Sequence, residues 1–342
     1  MDCRSDKWLP RRITGIMIGR FLGLKSLSSA RLLFTCFQIK FVRVTMPHVK
    51  RFGASFSLAV CLGLILSPPA SAWGDEGHRY VNRVAAEHMP QDMPAFFRNA
   101  GVRLSFLGPE PDRWRDGKEL YKALSEVNGP DHFIDIDKPE NFEALPNDRY
   151  LYADWLRAHG KEPKDIGYLP YSILEGYQKI QVLFRMWRDR QHEVERDQIE
   201  QNIVYYAGVL GHYVADGAQP LHASIHYNGW TTSSNPQLFT REPLHWRFEG
   251  EYVKAQIKPE DFSGQVKIAS QLQDPFADIV KYLIDSYNHV PELYRMDKAA
   301  RWDANNRNAE SKKFVTERLA AGSQMLANLW YSAWLGSAKV QS

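Results

Sequence analysis

His212 and Asp216, four residues apart, are the pair in this chain best suited to holding a metal ion. On a helix that spacing puts both side chains on one face, one turn apart, so both can point at one small volume. The chain continues Gly217-Ala218-Gln219-Pro220-Leu221-His222. Its glycine and proline are expected to break the helix and aim His222 at a neighbouring ion rather than the same one. A lone histidine on an apolar helix is ordinarily a satisfied core residue, and a lone aspartate is ordinarily solvated. The pair plus a third donor beyond a helix break points instead to a metal site.

His245 and Glu249 repeat the spacing. Alone, that pair reads more simply as an exposed ion pair in which Glu249 serves Arg247 or Lys254. Two such pairs in one chain are harder to dismiss. Asp112 and His132 are weaker candidates: Asp112 would suit a helix cap, with Asp116 as a rival, and His132 would suit any loop.

Trp73 offers a different kind of donor. It follows Ala70-Ser71-Ala72, the small-residue pattern read by signal peptidase, and opens Trp73-Gly74-Asp75-Glu76-Gly77-His78. Cleavage there would make its nitrogen a chain terminus with a pKa of about 7.7–8.0, able to donate a lone pair near neutral pH. Its carbonyl could complete a chelate, with His78 nearby. The segment 46–72 has a basic start at Lys50 and Arg51, then apolar residues from 52 to 66 and Pro68-Pro69. That apolar stretch falls short of the roughly 20 residues a membrane span requires, so a cleaved signal peptide is expected. Residues 1–45 are an upstream extension, which a start at Met46 would omit. The expected working protein is 73–342, secreted or periplasmic.

Removing residues 1–72 takes 11 of 43 Lys+Arg and 2 of 40 Asp+Glu, leaving 32 minus 38, or −6. The whole-chain charge of +3 therefore belongs to the leader, and no basic footprint for duplex nucleic acid survives. Cys3, Cys36 and Cys61 also lie in the leader, so a metal site must be built from His, Asp, Glu and backbone atoms.

The elements that would position these donors are helices. Apolar residues recur at three- and four-residue intervals, and sustained alternation is scarce. Helices are expected over 77–87, 171–188, 197–216, 244–254, 275–287 and 312–335, with loops over 135–168 and 228–243. The expected class is all-α, a single-domain multi-helix bundle, with Ile180, Leu183, Phe184 and Trp187 in its core. Trp230, in the second loop, reads equally as a closing residue or a packing anchor.

Taken in order, Trp73-Gly-x-x-Gly-His78, Asp112, His132-Phe133, His212-x-x-x-Asp216, Gln219-Pro-x-His222 and His245-x-x-x-Glu249 resemble one superfamily. It is that of the trinuclear zinc hydrolases, which includes the single-strand-specific nucleases (the S-one/P-one family) and bacterial zinc-dependent phospholipases C. The likeness runs from Trp73 to about Leu335 and implies their type of helix bundle. It implies that Trp73, His78 and Asp216 hold one zinc, and Asp112, His132, His212 and the shared Asp216 a second. His222, His245 and Glu249 would hold the third.

By the same resemblance Arg115 would bind the scissile phosphate, Asp112 would orient the attacking water near Asp216, and Phe133 and Asp135 would hold a base. Read without it, Phe133 is a packing residue and Arg115 a surface ion-pair partner. Trp-Gly-x-x-Gly-His and Asp112-x-x-Arg115 look like the nucleases, whereas Glu249 looks like the phospholipases. The expected activity is zinc-dependent phosphodiester hydrolysis of single-stranded DNA, RNA or nucleotides. Phospholipase C and a non-catalytic zinc-binding module are the alternatives, and no protein partner is inferred.

Overall fold

In the computed structural model, the described residues are 73–115, 120–138 and 142–338. The leader and Asp116 lie outside them. The described chain is all-α: helices joined by turns and a few longer irregular segments, with one isolated bridge between Trp230 and Thr240 in place of any sheet. Among these residues no helix is long and apolar enough to cross a membrane.

The helix Arg196–Ala218 is the axis of the molecule. Every residue from Ala207 to Ala218 is buried, including His212 and Asp216. A helix apolar on all sides is one that other helices surround. Its glycines make that possible, since a Cβ on Gly208 would stand 2.4 Å from Leu107 Cβ and one on Gly217 2.8 Å from the Tyr282 ring. At Gly211 a Cβ would fall 1.8 Å from Asn82 Oδ1, while Asn82 Nδ2 donates to Leu104 O and Gly208 O. Gly211→Ala is therefore expected to destabilise the fold by about 1–3 kcal/mol through overpacking, measured as a lowered thermal midpoint.

Leu169–Arg188 runs back along this helix, and Gly74–Glu87, Gly101–Leu107 and Ala309–Gly336 close the remaining sides. Aromatic rings fill the end away from the histidines: Phe97 meets the Trp330 ring edge-on at 5.2 Å, and Phe184 meets Trp334 at 5.4 Å. Helix starts follow side-chain capping. Asp148 accepts from Tyr150 and Leu151, Asp274 from Ala277, and Asn308 from Glu310 and Ser311.

Two sequence expectations are corrected, and the ion-pair alternative for Glu249 falls away. The stretch 135–168 is not all loop, because Asp148 nucleates the helix Arg149–Ala158, whose Tyr152 and Leu156 are buried. Gly217 does not break its helix; it sits inside it where Tyr282 packs, and the helix ends at Gln219 before Pro220. Glu249 does not serve Arg247, which is buried and pairs with Asp297 at 3.0 Å and with Trp302 O at 3.0 Å. The expected loop at 228–243 is irregular apart from a short turn at Pro236–Leu238. Trp230 there is a packing anchor, 8% exposed and stacked on His226 at 3.9 Å.

Candidate metal centre

Residues from six parts of the chain converge beside the buried half of the central helix. His78 comes from the first helix, Asp112 from the turn Glu110–Arg113, and His132 from the turn Gly129–His132. His212 and Asp216 come from the central helix, His222 from the turn after it, and Glu249 from a π-helical turn at Arg247–Tyr252 that begins two residues after His245. A π-turn inside a helix is a frequent mark of a functional position.

Three groups of donors stand close enough to share an ion: His78, His212 and Asp216; Asp112, His132 and His212; and His222, His245 and Glu249. Tetrahedral zinc with N and O donors at about 2.0–2.1 Å needs those donors about 3.3 Å apart. Asp216 Oδ2 lies 3.0 Å from His132 Nδ1 and 3.3 Å from His212 Nε2, and those two nitrogens are 2.9 Å apart. Asp112 Oδ1 stands 3.9 Å from both. In the third group, Glu249 Oε2 is 2.9 Å from His245 Nε2 and 3.7 Å from His222 Nε2, with 3.2 Å between the nitrogens. The other oxygen of Asp216, Oδ1, is 3.1 Å from His78 Nε2, so one carboxylate faces two groups.

Backbone carbonyls fix the tautomers. Nδ1–H of His78 donates to Gly74 O at 2.9 Å, of His212 to Gly108 O at 2.8 Å, of His222 to His132 O at 2.6 Å, and of His245 to Tyr227 O at 3.1 Å. A carbonyl only accepts, so Nε2 is the nitrogen each ring turns into the cluster, with its lone pair free once that ring is neutral. A carbonyl behind the far ring nitrogen is what orients histidine ligands to metals. Two lone pairs facing each other at about 3 Å repel unless a cation or proton lies between them.

Electrostatics favour the same reading. Burial works against the Asp216 charge, yet His212, His222 and His132 hold its carboxyl well below the usual range. Glu249 is lowered in the same way by His245 and His222. Burial also opposes the charge on His222, but Asp216 and Glu249 outweigh it and hold that ring up to about 9. His132 is pushed down to about 3 by burial and is neutral. Burial raises Asp112, which His212 and His78 only partly counter. Asp112 Oδ2, His132 Nε2 and Glu249 Oε1 are buried without any hydrogen-bond partner. Three buried carboxylates, orphaned donors and neutral imidazole lone pairs fit divalent cations of the zinc type.

Trp73 is fully buried, with its backbone in the left-handed region at φ +48°. Its indole N–H donates to Ala215 O at 2.7 Å, and its backbone N–H donates to Glu249 Oε2 at 3.2 Å. The Trp73 nitrogen thus points at Glu249, one donor group away from the set the family resemblance implies. The surrounding glycines are steric requirements: Gly74 takes φ +54°, and a Cβ on Gly77 would stand 2.7 Å from Trp73 Cβ.

A cleft of about 570 Å³ opens onto the cluster and is lined in part by Arg115, His132, Phe133, Asp135, His222 and His245. Arg115 Nη1 is 3.5 Å from Asp112 Oδ1 and is partly exposed, so it faces both the carboxylate and the cleft. Phe133 is half-buried at the cleft wall rather than packed in the core. Asp135 is buried and 2.9 Å from Lys138 Nζ; burial pushes its carboxyl up to about 6, against the pull of Lys138. A larger groove of about 800 Å³, lined by Leu145, Phe276 and Ile284, contains no histidine.

Sequence reasoning passed over several positioning groups. Asn228 Oδ1 accepts from the N–H groups of Leu244 and His245, and Gly108 supplies the carbonyl for His212. Gln219 contacts Glu249, and Lys138 pairs with Asp135. Only the Gln219-Pro220-x-His222 motif carried a sequence signal for any of them.

Fold and site together define an all-helical protein with a buried histidine and carboxylate cluster arranged in three metal-capable groups. No family model and no curated protein matches the sequence. Among solved structures the chain is similar to the alpha toxin of Clostridium absonum, at 15% identity and a TM-score of 0.38, covering 78% of this chain and 67% of that one. It is also similar to the alpha-toxin of Clostridium perfringens from avian strain SWCP, at 17% identity and a TM-score of 0.34, covering 78% of this chain and 64% of that one.

Proposed function

We propose that the protein is a zinc-dependent phosphodiester hydrolase whose cleft takes single-stranded nucleic acid. The observation that carries the reading is the cluster itself: three donor groups with backbone-fixed tautomers, opening onto a cleft that also holds Arg115. Zinc bound there would supply Lewis acidity and make water a competent nucleophile at a pKa of about 7. Trp73, His78, Asp112, His132, His212, Asp216, His222, His245 and Glu249 would hold it.

The chain's own groups then divide the work. Arg115 donates to a non-bridging phosphate oxygen through a charge-assisted hydrogen bond and keeps Asp112 oriented from the other side. Asp112, with one oxygen free of protein partners, accepts the proton of the attacking water. Asp216 holds its two oxygens toward two donor groups and fixes their separation. Phe133 offers a ring face to a base, and Asp135 offers an acceptor to a base amino group. Arg115→Ala is expected to lower kcat/KM by about 10²-fold, measured on a short phosphodiester substrate.

Asp135 gives a pH signature. As pH falls through about 6 its carboxylate takes a proton, so KM for nucleic acid is expected to rise on the acid side, and Asp135→Asn to remove that dependence. The linked stability effect has the opposite sign to the usual aspartate. A folded pKa above the unfolded one means the Asp135 charge costs stability above about pH 6, and the cost fades below it.

A second reading, phospholipase C, is favoured by the turn entering the cleft. Leu120, Tyr121, Leu124 and Val127 are all exposed around the helix Lys122–Asn128, which leads into the cleft residues Gly129 and Pro130. Such a rim suits a lipid surface better than a water-filled groove. Assaying single-stranded DNA, RNA and phosphatidylcholine in parallel decides between the two. Lipid cleavage alone would move the protein to the phospholipase reading.

A further inference from the structure

Gln219 is fully buried among the donors and makes four hydrogen bonds that each end on, or next to, one of them. Its backbone N–H donates to Asp216 O at 3.0 Å, and its backbone oxygen accepts from His222 N at 3.0 Å. Its side-chain Oε1 accepts from Leu221 N at 2.6 Å, which closes the turn that presents His222. Its Nε2 donates to Glu249 Oε2 at 2.8 Å.

The amide orientation follows from chemistry. Leu221 N–H can only donate, so the atom facing it is the oxygen, and the atom facing Glu249 is the NH2 group. A buried carboxylate receiving that donor is held as an acceptor in one rotamer, with Oε2 beside His245 and Oε1 left without a protein partner. Gln219 is 30 residues from Glu249 in sequence and shares a turn with His222, so it ties together two chain segments whose donors belong to the same group.

We infer that Gln219 is a positioning residue for the third metal, setting the spacing of His222 against Glu249 before any ion arrives. The inference rests on the zinc reading above and assigns Gln219 no contact with substrate. Glutamine is the residue that fits both ends. Glutamate would keep the Leu221 bond and the volume while placing a carboxylate against Glu249, and leucine would keep volume alone.

The test is a competition titration of the trimmed, metal-free protein with zinc alone against a chromophoric chelator, for the natural chain and for Gln219→Glu, Gln219→Leu and His245→Ala. The binding step missing in His245→Ala identifies the third group. Absence of three zinc steps in the natural chain would count against the zinc reading and leave nothing for Gln219 to position. With three steps present, the third is expected to weaken about 10–100-fold in both Gln219 variants, the scale for losing an outer-shell partner, while the other two hold. The metal-free thermal midpoint of Gln219→Glu is expected to fall, because two carboxylates then meet in a buried site, so the readout is the selective loss of the third step.

A third step of unchanged or increased affinity in Gln219→Glu would overturn the inference, the latter by making position 219 a ligand. Equal weakening of all three steps with a lowered metal-free midpoint in both variants would overturn it too, since that is the signature of a core residue. A double-mutant comparison adds an independent readout: in a Glu249→Gln background, Gln219→Leu is expected to cost the third step nothing further.

Discussion

Asp216→Asn is expected to abolish turnover and to release metal from two donor groups at once. Both Asp216 oxygens are committed, Oδ1 to His78 at 3.1 Å and Oδ2 to His132 at 3.0 Å and His212 at 3.3 Å. Asparagine keeps the shape but removes the charge and replaces one oxygen by an NH2 group, which has no lone pair to give a metal ion. The loss in kcat is expected to reach about 10³-fold or more, the scale for removing a group that organises transition-state charge. Zinc content measured on the purified variant should fall together with activity. Full zinc and full turnover would refute the bridging role. The fold itself should survive, because the histidines around Asp216 no longer need to balance its charge once protons leave them.

Extending the chain before Trp73 is expected to have the next largest effect. A residue joined to Trp73 converts an amine with a lone pair into an amide that can only donate, as it does here to Glu249 Oε2 at 3.2 Å. Trp73 is fixed by its indole bond to Ala215 and by the close packing of Gly77, so its nitrogen has no second place to go. Zinc affinity at the group it serves is expected to fall about 10–100-fold. The measurement compares a trimmed protein beginning at Trp73 with one carrying a single added residue. Equal affinity and equal turnover in the two would exclude the terminal nitrogen as a ligand.

The convergence of these side chains was legible because chemistry and spacing coincide on short stretches. His212 and Asp216, and His245 and Glu249, are each one turn apart, and a helical period turns sequence distance directly into shared direction. The central helix was legible within about two residues for the same reason. What escaped was set by contacts between distant segments. Nothing in Leu107-Gly108-Pro109 says that its carbonyl will meet His212, 104 residues away. Gly217 looked like a helix breaker because its local propensity is poor, yet tertiary packing against Tyr282 overrides it. The helix Arg149–Ala158 was hidden among prolines and glycines that in fact flank it, with Asp148 as its start signal. The ion-pair alternative for Glu249 with Arg247 fails because the carboxylate Arg247 meets, Asp297, lies 50 residues on, while Glu249 is only two residues away in sequence.

The measurement that bears most directly on the central claim is zinc content and phosphodiester hydrolysis assayed together on protein trimmed to Trp73. Three zinc ions per chain are predicted, with cleavage of single-stranded DNA or RNA that a chelator abolishes and added zinc restores. Protein that binds zinc yet cleaves neither nucleic acid nor phosphatidylcholine would contradict the account and leave a metal-binding module without turnover.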